Sequence, residues 1–196
     1  MFLNEGLYSV FGIILGVSQV TALLIFPWFS KRYSRKKIYG LATVLVIIGY
    51  ILFFFAPPNM LFVGPAGVII FIGQAFIQLL MLVFLADTIE YGHLKLGKRN
   101  ESVSFAIQPF IYKIGAALAN AIVGYTLVIS GINSLGEGEI LGARGLFLVK
   151  TSMMIIPLIL IVISLIVYLR GYIIDEAYYK EILVKLKERA DREKEA

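Results

Sequence analysis

The sequence holds no cysteine, one histidine, one tryptophan and few charges for its length. Without cysteine there is no disulfide framework and no thiolate metal site. His93 alone makes neither a multi-histidine metal centre nor, unaided, a histidine-paired triad. No H-E-x-x-H, G-x-S-x-G or phosphate-loop pattern occurs, and no paired aspartates of an intramembrane protease. An enzyme is therefore disfavoured: no catalytic residue, metal ligand or cofactor can be nominated. Charged residues make up 16% of 196, against about 25% in a soluble domain that faces water all round.

What fills the chain instead is apolar. Hydrophobic residues reach 59% and the mean hydropathy is +0.86. Five runs, near 7–29, 38–56, 61–86, 103–130 and 145–169, approach or exceed the roughly 20 helical residues that cross the hydrocarbon. They are continuous, without the period-two alternation of a membrane strand. In lipid a helix closes its own backbone hydrogen bonds. The expectation is an all-α membrane protein with a five-helix bundle over 1–172 and a charged helical tail over 173–196. The opening Met1 to Gly6 lacks a basic stretch and leads into a run of span length, so it reads as a span and not a cleaved leader.

The net charge of +5 would suggest nucleic acid if it were spread along a soluble surface. It lies instead beside the spans, so the expected partner is a lipid bilayer and not a nucleic acid. Pro27-Trp28 precedes Lys31, Arg32, Arg35, Lys36 and Lys37; Pro57-Pro58-Asn59 forms a tight turn; 90–102 is a charged loop and 131–144 a Gly-rich one. The first and third loops and the tail together carry fifteen of the 18 Lys and Arg residues. By the positive-inside rule that side is cytoplasmic, putting the C-terminus inside and the N-terminus outside a plasma membrane. Five spans with an external N-terminus look like part of something longer. The tail reads as solvated, or as lying on the headgroups.

Lys113 is the sharpest anomaly, about 15 Å into the fourth span. A central lysine costs about 2.5–3.5 kcal/mol on insertion scales, so it should face a bundle interior or a watery cavity. Pro109, Lys113, Ala117, Asn120 and Gly124 form a small or polar stripe at spacings of three and four. We read that stripe as a cavity wall, the alternative being a lysine that snorkels or neutralises between helices. Gln108 borders the same region, either meeting hydroxyls or bridging helices. Asp87 and Glu90 end the third span, and Arg99 and Glu101 open the fourth. Such charges, with Arg35 in reach, can form an ion-pair gate, or can simply be hydrated helix ends. Gln74 with Gln78, and Gln19 with Thr21, serve as interhelical glue or substrate contacts. His93 is expected solvated, and Gly12-x-x-x-Gly16 is a weak helix-packing signal.

From Leu85-Ala-Asp87-Thr-Ile-Glu90-Tyr91-Gly92 through Arg99-Asn-Glu101, the sequence resembles the glycoside–pentoside–hexuronide:cation symporter family. Ser34-Arg35-Lys36-Lys37 and the helix Ser104 to Ala117, with Gln108 and Lys113, extend the resemblance over about residues 5–175. It implies helices eight to twelve of the twelve-helix major facilitator fold, and a cytoplasmic C-terminus. It also implies a sugar or glycoside substrate, a coupling cation (Na+, H+ or Li+) and a missing N-terminal transporter half that carries the sugar- and cation-binding carboxylates. Lys113 matches the family's lysine near those sites, and Gln108 a nearby polar position; Pro109 stands where melibiose permease has threonine. A five-span scaffold or accessory subunit without transport activity is the competing expectation.

Overall fold

The computed structural model describes residues 5–57, 59–134 and 141–195. Pro58 of the expected turn and 135–140 of the Gly-rich loop lie outside the described residues. Among the described residues six long helices follow in order: α1 Glu5–Arg32, α2 Arg35–Phe55, α3 Met60–Leu96, α4 Glu101–Ser130, α5 Ala143–Gly171 and α6 Glu176–Glu195, with a single 3-10 turn at Ile132–Ser134. The first five are long and apolar enough to cross a membrane. No strand occurs among the described residues.

Two elements differ from their expected form. The charged stretch from Glu90 to Leu96 is not loop but the last turns of α3, which reaches 37 residues. Nothing between Ala86 and Leu96 breaks a helix. The stop comes at Gly97, whose left-handed φ of 70° lets its N–H bond the His93 carbonyl at 3.0 Å. In α5, a π turn at Thr151–Ile155 interrupts the regular pattern just before Pro157. Proline lacks an N–H and crowds the carbonyl four residues back, and the wider turn accommodates both defects.

The chain divides into two compact units, the first made of residues up to Phe105 together with those from Leu165, the second of Ala106–Ser164. In the first, α3 packs against α1 and α2 around Ala22, Ile38, Ala42, Phe76 and Leu80. Glycines set the closest approach. A Cβ on Gly73 would stand 2.8 Å from the Ala42 carbonyl oxygen, and one on Gly67 the same distance from the Phe11 ring. Gly12 and Gly16, by contrast, have open space where a Cβ would go, so their spacing serves no close contact within the unit. The outer faces stay apolar, with Leu24 and Phe55 exposed as lipid-facing side chains should be.

The second unit holds most of α4 and the first part of α5. Gly145 brings them together: a Cβ there would lie 2.5 Å from the Ser130 carbonyl oxygen. Thr126, fully buried, returns its hydroxyl to the Ile122 carbonyl at 2.7 Å.

Candidate functional site

The first unit gathers its charges at the far end of α3. Asp87 is 1% exposed, and a buried carboxylate needs partners. It has two. The Arg35 guanidinium, from the first residue of α2, donates to Asp87 Oδ2, and the Tyr172 hydroxyl donates to the same oxygen at 3.0 Å.

Arg35 is itself surrounded. α2 opens with Arg35-Lys36-Lys37 and has no acidic residue in its first turn, the wrong sign for the positive end of a helix dipole. Ser34 stands at the cap position but makes no side-chain cap bond. Glu176, opening α6, supplies what is missing: its Oε1 accepts the Arg35 backbone N–H. The Arg35 guanidinium also lies 4.8 Å over the Tyr179 ring, within cation–π range.

Tyr172 is held in place by aromatic rings. Its ring stacks on Tyr168 at 5.1 Å and meets Phe84 at 4.7 Å, and Tyr168 meets Tyr39 at 4.2 Å. Burial, and then the Asp87 carboxylate, push the Tyr172 hydroxyl above its ordinary range, so it stays a donor at neutral pH. Burial raises Tyr179 as well.

One turn further along α3, Glu90 accepts from Arg99 at 2.7 Å, and Arg99 Nε lies 3.5 Å from Glu101. Arg99 and Glu101 are each about half exposed, 51%, so this pairing stands largely in water. His93 Nδ1 lies 3.9 Å from Glu90 Oε2, on the helix and not in a loop.

Of the residues singled out from sequence, Arg35 is thus brought to Asp87, and Arg99 to Glu90 and Glu101. Lys113, Pro109 and Asn120 belong to α4 in the second unit, where their side chains are exposed; Gln108 is half-buried there. Gln74 and Gln78 are exposed on α3. The tail is helical and charged, yet it does not float free. It packs on α3, with Ile182 at 0% exposure and Ile174 buried. Tyr178 of the tail meets Tyr91 of α3 at 6.1 Å. Tyr172, Glu176 and Tyr179 escaped the sequence reading. The one local signal concerned Tyr179 and the docking of α6, an apolar stripe of Tyr178-Tyr179, Ile182 and Leu186 at helical spacing inside the alternating charges; Tyr172 and Glu176 lie outside it.

The family profile described as "MFS/sugar transport protein" matches residues 2–176. The chain belongs to that family. Relatives within it include the raffinose carrier protein of Pediococcus pentosaceus, 31% identical over 91% of this chain, and the lactose permease of Lactobacillus helveticus, 30% identical over 92%. The glucuronide carrier protein homolog of Escherichia coli is 26% identical over 95%. These carriers place the chain in the symporter-like group that its Asp87-to-Glu101 motif resembles. It is a multi-pass membrane protein of a transporter family, not an enzyme. The chain spans 27% of the length of the raffinose carrier, 28% of the lactose permease and 40% of the glucuronide carrier homolog.

Proposed function

We propose that this chain is the C-terminal portion of a secondary transporter that couples sugar uptake to a monovalent cation gradient by alternating access. The observation that carries the reading is the family match over nearly the whole chain, at a quarter to two fifths of the length of carriers named for sugars. The five spans then correspond to helices eight to twelve of the major facilitator fold, and the missing partner is the N-terminal half. Lys113, Gln108, Pro109 and Asn120 line one wall of a midplane cavity. Arg35, Asp87, Glu90, Arg99 and Glu101 form this half's gate on the cytoplasmic side, where the basic loops and the C-terminus lie.

A hybrid carrier tests this. This chain replaces the matching segment of the Pediococcus raffinose carrier, and vesicles are assayed for uptake of raffinose, lactose and other glycosides under an imposed Na+ or proton gradient. Accumulation of at least one sugar, lost on Lys113→Leu, is the expected result. A hybrid that reaches the membrane but accumulates none, or one indifferent to Lys113, overturns the reading.

A further inference from the structure

We infer that Tyr172 and Glu176 make the C-terminal helix a clasp across the ends of α2 and α3, so that the Arg35–Asp87 pair is a fixed joint and only the Glu90–Arg99–Glu101 set is free to part. The division of labour rests on the gate reading above; the clasp itself does not.

Four observations converge on the joint. Asp87 is buried with two donors on one oxygen, and drawing Arg35 away would leave a carboxylate with neither water nor a cation. The second donor comes from the segment leading into α6, and Tyr172→Phe would remove it without disturbing the ring stack. Glu176 binds the backbone of the same Arg35, supplying an anion to a helix start that has three cations and no cap of its own. Finally, α2 and α3 meet through Gly73 and Gly49 with no room for a Cβ, a fit that admits no sliding.

The other set is held on one side only: Glu90, 16% exposed, accepts from Arg99 at 2.7 Å, but its cation stands half in water and no tail side chain among the described residues bonds it. Arg99 and Glu101 are half exposed, their contact is 3.5 Å, and the residues between α3 and α4 are short and polar. Exposed ion pairs form and break at little cost. A cluster that looks uniform in sequence is therefore two devices, one that holds and one that releases.

The chain has no native cysteine, so an introduced one is a unique reporter. Ile182→Cys, at a fully buried position, should react with a maleimide slowly in vesicles containing the whole chain. Leu183→Cys, exposed, should react fast in every background. Adding Tyr172→Phe or Glu176→Ala should speed labelling at 182 about tenfold, the loss expected for one hydrogen bond to a charged group. Arg99→Ala and Glu101→Ala should leave it within twofold. To guard against disruption by the cysteine itself, tryptic cleavage after Lys180 and Lys185 is followed in chains retaining Ile182, and should accelerate with Tyr172→Phe. Unchanged labelling and cleavage in both tail variants, or equal acceleration by the Arg99 variant, overturns the clasp. Failure of the hybrid carrier with the labelling pattern intact would overturn the gate and leave the clasp standing.

Discussion

At Asp87 a carboxylate sits between a guanidinium and a phenol, almost sealed from water. Asp87→Asn strips Arg35 of its main counter-charge. Because Arg35 keeps some access to water, the cost falls below that of a fully buried pair, to about 2 kcal/mol, readable as a lowered midpoint in thermal unfolding of the detergent-solubilised chain. Tyr172 predicts an alkaline limit. Its folded-state pKa lies above the ordinary phenol value of about 10, so its contribution is complete below pH 10. Above that pH the unfolded phenol ionises first, and stability falls as pH rises. Tyr172→Phe should remove that part of the decline in an unfolding series from pH 8 to pH 11. A glycine pair gives the sterically clean case. Gly73→Val forces a branched side chain onto the Ala42 carbonyl and should cost about 1–3 kcal/mol, whereas Gly12→Ala, into open space, should stay within about 0.5.

Among the elements, the spans were legible because lipid demands long apolar runs and the sequence supplies them without interruption. The end of α3 was not. Glu90, His93 and Lys95 look like loop composition, yet composition does not end a helix; Gly97 does, because it alone there takes a left-handed φ without strain. Gly97→Ala should therefore cost about 1 kcal/mol and let the helix end fray, visible as faster hydrogen exchange over 93–99. The charges of the candidate gate were readable as helix ends, since Asp87, Glu90, Arg99 and Glu101 are close in sequence. Their partners were not. Tyr172 and Glu176 reach Asp87 and Arg35 across 85 and 141 residues, and no local pattern encodes such a contact. The docking of α6 was hidden for a different reason: its apolar stripe is short and narrow, and the surrounding lysines and glutamates mask it.

At the scale of the whole molecule, the chain alone should insert but not accumulate sugar. Each span satisfies its own backbone, but Lys113 has no carboxylate on its own span C-terminal to Glu101. Vesicles holding only this chain should show no gradient-driven uptake, while the hybrid carrier should. Uptake by the chain alone would mean a half-size transporter working as an oligomer. The length of α3 adds a mechanical consequence. Its 37 residues make a rod of roughly 55 Å, nearly twice the thickness of the hydrocarbon. From Gly73, where α2 bears on it, to Gly97 is about 36 Å. A shared tilt of α2 and α3 by about ten degrees at that depth sweeps the far end through about 6 Å, more than one helical turn. With Asp87 tied to Arg35, α2 and α3 swing as one body, and a rearrangement small beside Gln74 and Gln78 is amplified by leverage into a stroke of about 4–5 Å at Glu90, 17 residues from Gly73, enough to part it from Arg99.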